Sequence, residues 1–341
     1  MEPFTLIDYV WIGGRGELRS KTRVLYEQIN SLQDIPLWNY DGSSTNQADD
    51  DNSEVFIIPR RLFPCPFRSG GLIVLCDTYL PDQTPAPYNH RVQAQIIFDT
   101  YLDQHPWYGL EQEYFIYDLK TNLPLGFDPE RPQGPYYCSV GGNNCFGRQI
   151  SEQHLYYCLY AGIKISGTNT EVAPGQLEFQ IGPVEGIEAA DQLWIARYIL
   201  EKITEQHHAY IVYDPKPLAG DWNGSGCHTN FSTEEMRHQD GYQFILEAVL
   251  ALEKRHSEHM ALYGLDNQKR MSGQHETASY DQFSYGIASR KKSIRIPTET
   301  YLAQCGYFED RRPAANMDPY LVTAKILETT QSCPEETINK D

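Results

Sequence analysis

Apolar positions in the first eighty residues come in short runs broken by turn chemistry: FTLIDYVWIG, then GRGE, then IPLWNYDGSST at 35–45, then SEVFIIP and GLIVLC. Runs of this length, rich in β-branched and aromatic residues, predict a small strand-rich unit. Pro36 and Asp41-Gly42 mark a strand edge and a turn. The segment PDQTPAPYNH at 81–90 has no apolar period and reads as a linker, dividing the chain near residue 86 into units 1–85 and 86–341. Beyond it, helices are expected over 91–103, 151–164, 187–206 and 242–260, the second with Ser151 as N-cap. Strands are expected over 109–118, 176–182, 209–213, 227–232 and 293–296, and the closing QSCPEETINKD reads as a solvated tail.

Composition narrows the partners. Asp and Glu outnumber Lys and Arg by 46 to 28, a net charge of −18, the wrong sign for a phosphate backbone, so nucleic acid is set aside. Apolar runs such as Leu72–Cys76 fall far short of the roughly 20 residues a membrane helix needs, so no membrane span is expected. MEPFTLIDYV has no positive charge and leads to no small-residue cleavage site, which excludes a secretory signal and predicts a cytoplasmic chain. The eight cysteines are scattered with no C-x-x-C pair, as expected of reduced thiols rather than a disulfide scaffold or a zinc site.

The chemistry sits on the strands. In GLEQEYFIY (109–117) the two-residue period puts Glu111 and Glu113 on one face, continued by Phe115 and Tyr117. A lone Glu-x-Glu is ordinarily a solvated strand face. Here the aromatic continuation implies partial burial, and neighbouring half-buried carboxylates repel unless a cation or proton intervenes. QLEFQIGPVEG (176–186) carries Glu178 and, past an expected Gly182-Pro183 turn, Glu185; NGSGCHTNFS (223–232) carries His228, Asn230 and Ser232; GYFEDRRP (306–313) carries Glu309 beside Arg311 and Arg312. His228 taken singly would more often be a hydrogen-bonded core histidine. Five glutamates with one imidazole form a donor set for Mg²⁺ or Mn²⁺. Arg290, Lys291, Lys292 and Arg295 cluster in ASRKKSIRIP; beside acidic motifs such arginines suit phosphoryl transfer, although surface ion pairs are the plainer reading for the two lysines. No P-loop, G-x-G-x-x-G, zinc-protease, nucleophile-elbow or EF-hand pattern fits, and His256 and His259 read as one solvated helix face.

The strings WNYDGSST, GLEQEY, GPYYC, CLYAG, LEFQIGP, DPKP, WNGSGCHTNFST, SIRIP and GYFEDRRPAANMDPY together resemble the eukaryotic-type (type II) glutamine synthetases, in order and spacing, from residue 9 to about 330. The resemblance implies an α+β fold: an N-terminal β-grasp domain, then a catalytic domain of curved antiparallel sheet with packed helices. It implies ATP-dependent ligation of ammonium to the γ-carboxylate of L-glutamate through γ-glutamyl phosphate, with Mg²⁺ or Mn²⁺, two or three per site. It implies a homo-oligomer of two stacked pentamers with sites shared between subunits. The family's N-terminal helical arm is mostly missing ahead of the first strand, which bears on ring stability.

Residue by residue, Glu111, His228 and Glu309 resemble the ligands of the cation on the ATP phosphates, and Glu113, Glu178 and Glu185 those of the cation near glutamate. Asn223, Gly224, Arg270 and Arg311, with Trp222 beside them, resemble glutamate-holding groups. Asn230, Ser232, Arg237, Arg290, Arg295, Tyr307 and Trp107 resemble nucleotide-side contacts. Glu54, Tyr137 and Glu276 resemble the ammonium pocket, Glu54 reaching in from the adjacent subunit as the base and Glu276 lying on a mobile flap. Leu177 and Ala190 depart from the family at positions expected to line the site. A catalytically silent relative and a ligase for another amine are the competing readings.

Overall fold

The computed structural model describes residues 4–331; Cys333 and the rest of the expected solvated tail beyond Gln331 lie outside the described residues. The first five strands, β1 (Thr5–Ile12), β2 (Leu18–Leu25), β3 (Trp38–Asp41), β4 (Glu54–Pro64) and β5 (Leu72–Tyr79), form one mixed sheet in the order β2-β1-β5-β4-β3. Only the central β1–β5 pair is parallel; the others are antiparallel.

The near-continuous apolar runs of β1 and β5 have a physical cause, because both faces of this sheet are covered. Ile7, Tyr9, Trp11, Val74 and Cys76 point into a local core, while the alternating Val10, Ile12, Ile73 and Leu75 join the main core of the molecule. On that second face the buried Asp8 carboxylate accepts hydrogen bonds from Arg68 at 2.7 Å and from Lys202 at 2.9 Å. The strand-rich unit is thus fastened to the rest by shared apolar burial and by an ion-pair cluster.

After the linker come α1 (Arg91–Thr100), β6 (Trp107–Asp118), α2 (Arg148–Tyr160), β7 (Ile165–Thr170), β8 (Gln176–Glu185), α3 (Glu188–Thr204), β9 (Ala209–Val212) and β10 (Cys227–Ser232). They are followed by α4 (Glu234–Arg237), α5 (Tyr242–Lys254), α6 (His256–Leu262), β11 (Tyr285–Ile287), β12 (Ile294–Ile296), α7 (Thr298–Ala303), β13 (Phe308–Asp310) and α8 (Pro319–Gln331). The eight strands form a second sheet in the order β11-β12-β13-β10-β6-β8-β7, with β9 pairing the far end of β6; every pair but β11–β12 is antiparallel. The fold is α+β. Helix α3 is buried almost all round, as expected of a helix at the centre of a core rather than on a surface.

Four expectations change. Helix α2 starts at Arg148 after Gly147, which has a left-handed backbone; Ser151 is inside the helix, buried, and bonded to Thr168 Oγ1 at 2.6 Å. The helix expected over 242–260 breaks at Arg255 into α5 and α6, and His256 and His259 are buried rather than solvated: Arg312 donates to His256 Nδ1, and His259 pairs with Tyr263 and Thr329. Gly182-Pro183 does not turn the chain. Strand β8 runs through it to Glu185, with a bulge opposite Tyr108 and Leu110, where a β-carbon on Gly182 would collide with the Tyr108 carbonyl. Leu177 and Ala190 are buried core residues in the main cluster.

Candidate active site

Strand register assembles the site. On β6, Glu111 stands directly opposite His228 of β10, and Glu113 directly opposite Glu178 of β8. Glu309 of β13 is paired across the sheet with Asn230 of β10 on one side and Arg295 of β12 on the other. Antiparallel partners place their β-carbons about 5 Å apart on the same face, so register alone brings these ligand types together. The result is two clusters. Donor atoms of Glu111, His228 and Glu309 lie within 4.8 Å of one another, and so do those of Glu113, Glu171 and Glu178.

Both clusters are half or fully buried, and their electrostatics call for a cation. Burial pushes Glu178 above the ordinary carboxylate range, and repulsion from Glu113 and Glu111 pushes it further. Glu171 is raised by burial and then by Glu113. Burial also raises Glu113, although the Gly226 N–H, Arg270 and Arg311 pull the other way. A divalent ion would relieve all three at once. In the other cluster, burial and then Arg311 hold His228 well below its usual value, keeping the imidazole neutral as a metal ligand must be. Glu309, only 1 % exposed, accepts hydrogen bonds from Arg295 at 2.8 Å and Arg311 at 2.5 Å.

Glu171 was not read from the sequence, and Glu185 was. The bulge at Gly182 returns Glu185 to the face of Glu113, but opposite Trp107, six residues along β6. At about 3.3 Å per residue that is some 20 Å away. Its carboxylate instead takes His105 Nδ1 at 2.8 Å. Glu171 lies one residue past β7, held by Asn169 at 2.8 Å, and a strand period carries no mark of it. The available signal was its position seven residues before Glu178 in TEVAPGQLE.

All of the cluster residues but Glu309 line a cleft of about 370 Å³ that also gathers Tyr137, Asn223, Gly224, Arg270, Glu276, Arg290 and Arg311. Gly224 is required there, since a β-carbon would meet the Pro215 carbonyl and the Arg270 stem. Burial lowers Arg270 to about 10, and its guanidinium is spent largely on the carbonyls of residues 311–313. Trp222 does not line the cleft; it packs on Phe127 with ring centroids 5.4 Å apart. Glu54 is exposed at the start of β4, opposite Asp41, and is not part of its own chain's cleft.

A second, more apolar pocket of about 520 Å³ adjoins the first, sharing Glu111 and Gln180. Trp107, Asn230, Ser232, Arg237 and Tyr307 line it, five of the seven residues expected on the nucleotide side. Of the other two, Arg290 faces the acidic cleft and Arg295 is bound to Glu309. The Arg237 guanidinium lies 4.1 Å from the Trp107 ring centroid and donates to the Ser232 hydroxyl and carbonyl.

An acidic cleft suited to cations, joined through a shared glutamate to an aromatic and arginine-rimmed pocket, defines a cation-dependent enzyme site of the phosphoryl-transfer kind. Residues 91–248 match the family "Glutamine synthetase, catalytic domain". The chain is 64 % identical to a putative glutamine synthetase of Acanthamoeba polyphaga mimivirus over 95 % of its length and 94 % of the relative's. It is 52 % identical to the chloroplastic glutamine synthetase of Brassica napus, over 96 % and 79 %, and 51 % identical to the chloroplastic/mitochondrial enzyme of Arabidopsis thaliana, over 95 % and 77 %. The chain belongs to the glutamine synthetase family.

The organellar names of these plant relatives overturn the cytoplasmic expectation. It rested on features of a secretory signal, whereas organellar transit peptides are amphipathic, Arg- and Ser-rich, and need no apolar stretch. Among the described residues no helix is long and apolar enough to cross a membrane.

Proposed function

We propose that this chain is an active glutamate–ammonia ligase that uses ATP to join ammonium to the γ-carboxylate of L-glutamate. The observation that carries the reading is the pair of acidic clusters in adjacent registers, one of which opens through Glu111 onto the aromatic pocket. That order is what transfer of a phosphoryl group from a nucleotide to a carboxylate requires.

The donor sets fit divalent cations. Glu111, His228 and Glu309 would hold one, and Glu113, Glu171 and Glu178 another; Mg²⁺ or Mn²⁺ suits these oxygen-rich sets. When bound, such ions neutralise phosphate charge and align the reacting oxygens. The chain's own groups do the rest. Trp107, Arg237 and Tyr307 hold the nucleotide base and sugar end. Asn223, Gly224 and Arg270 orient glutamate. Arg311, anchored on Glu309, and Arg290 face the transferring phosphoryl group and stabilise its charge. Phosphorylation makes the carbon of the γ-carboxylate (Cδ) open to attack, since a bare carboxylate oxygen is a poor leaving group.

Ammonium cannot attack while protonated, so carboxylates must bind it and then take its proton. Tyr137 and Glu276 stand at the cleft for this, and Glu54 is the proposed base, supplied by a neighbouring subunit of a ring assembly of two stacked pentamers. Its exposure at a strand start, away from its own cleft, supports that placement. We also read the five-stranded sheet as a β-grasp domain divided from the catalytic domain near residue 86.

The test incubates the protein with Mg-ATP and glutamate, with and without ammonium, and measures ADP and glutamine. Glutamine appearing in step with ADP supports the ligase. Cation binding without turnover would favour a silent scaffold, and turnover with ethylamine or a polyamine in preference to ammonium would favour a different acceptor.

A further inference from the structure

Residues 272–279 form a loop closed by a bridge between Ser272 and Ser279, and Glu276 sits at its tip. The tip is a tight turn in which the Thr277 N–H bonds to the Gln274 carbonyl at 3.1 Å, and both central residues, His275 and Glu276, have positive φ, +51° and +62°. Two successive left-handed residues normally call for Asn or Gly. Side chains this large hold such a conformation only where surrounding contacts impose it.

The contacts fall on His275. Its Nδ1 lies 3.3 Å from the Gln133 amide nitrogen, and its Nε2 3.0 Å from Asp221 Oδ1. One tautomer satisfies both: Nε2–H donates to Asp221, and Nδ1 accepts from Gln133. The same Gln133 amide donates to Asn223 Oδ1 at 3.0 Å, and its oxygen accepts the Asn223 backbone N–H at 2.7 Å. Both amide hydrogens and the carbonyl of Gln133 are therefore used. One uncharged side chain joins the loop that bears Glu276 to the segment that bears Asn223 and Gly224.

We propose that Gln133 is a positioning residue which, through His275, latches the Glu276 loop over the cleft and registers it against the glutamate-binding segment. The inference rests on the ligase reading above. A closed loop keeps water from the acyl phosphate. When the latch fails, water adds its oxygen to the carbonyl carbon of the acyl phosphate (glutamate Cδ), the bond from that carbon to the phosphate oxygen breaks, phosphate leaves, and glutamate and a proton are released. ATP is then spent without amide formation.

The experiment measures ADP released per glutamine formed at saturating ammonium, in the full-length protein, for wild type, Gln133→Glu, Gln133→Leu, His275→Ala and the Gln133→Leu/His275→Ala double variant. Gln133→Glu is nearly isosteric and keeps the acceptor for the Asn223 N–H while losing both donors, so it guards against simple misfolding. Each Gln133 variant is expected to raise the ratio at least about two-fold, with the double variant no worse than the worse single one, as coupled residues behave. ADP and glutamine falling together, or a ratio unchanged in both Gln133 variants, would overturn the latch. Wild-type protein that forms no glutamine would instead overturn the ligase reading beneath it.

Discussion

Glu113 and Glu178 face each other directly across the β6–β8 pair, and Glu171 joins them from the loop between β7 and β8, so three carboxylates share one buried corner. Like charges opposite one another destabilise a sheet. This arrangement persists because protons or cations are taken up there.

The first prediction follows from the sign of those shifts. Burial and mutual repulsion raise Glu171 and Glu178 above the ordinary 4.5, so above that pH the cation-free native state holds protons that the unfolded chain has released. Stability then falls as pH rises. His154, His228 and His259 are depressed by burial below 6.5 and act in the opposite sense below that pH, which makes pH 6.5 to 8 the clean interval. The melting temperature of chelator-treated protein is expected to drop across it, less steeply in Glu178→Gln, and Mg²⁺ should flatten the slope. A rising melting temperature in the chelated protein would contradict the crowding.

How far this corner could be read beforehand depended on the backbone. The two-residue period of β6 put Glu111 and Glu113 on one face and held without interruption. Along β8 the same counting puts Glu185, seven residues after Glu178, on the opposite face; the extra residue at Gly182-Pro183, where a turn was expected, restores the face but leaves Glu185 opposite Trp107, six positions from Glu113. Strand β7, ISGTNT, carries no apolar alternation, and β11 and β13 have three residues each, too few to show a period. Gln133 and His275 left no signal, since their contacts span 90 and 142 residues of sequence.

The ligand assignment separates cleanly by substitution. Glu171→Gln removes a charge from the inner cluster, whereas Glu185→Gln breaks only an exposed contact with His105. Since even residues that merely support a ligand are worth about 10- to 100-fold in metal affinity, Glu171→Gln should weaken Mn²⁺ binding by at least about tenfold. Glu185→Gln should leave it within about two-fold, as suits a half-exposed surface pair. Titration followed by electron paramagnetic resonance reads both; equal losses would return Glu185 to the site.

Beneath Glu309 and Arg311 lies a fully buried ion pair, Asp310 with Arg312, joined at 2.7 Å and supported by the Tyr263 hydroxyl. Removing one member leaves the other charged and without its partner in the core, a loss of about 3–5 kcal/mol. Arg312→Met should therefore lower urea stability by that amount, and Asp310→Leu added to it should recover part. A cost under about 1 kcal/mol for the single variant would mean that His256 or water replaces the guanidinium.

On the nucleotide side, Trp107 is 40 % exposed at the rim of the second pocket, and the Arg237 guanidinium covers one face of its ring. The other face is the natural platform for a base, and stacking of a base on an aromatic ring is worth about 1–3 kcal/mol. Trp107→Ala should therefore raise the KM for ATP by about tenfold while kcat at saturating ATP changes little, the signature of lost binding common to ground and transition states. Arg237→Ala should have a smaller effect in the same direction, because it frees the ring without removing it. A fall in kcat with KM unchanged would place the ring against the reacting phosphates instead, a role its position opposite Glu185, at the end of β6 away from Glu113 and Glu178, does not support.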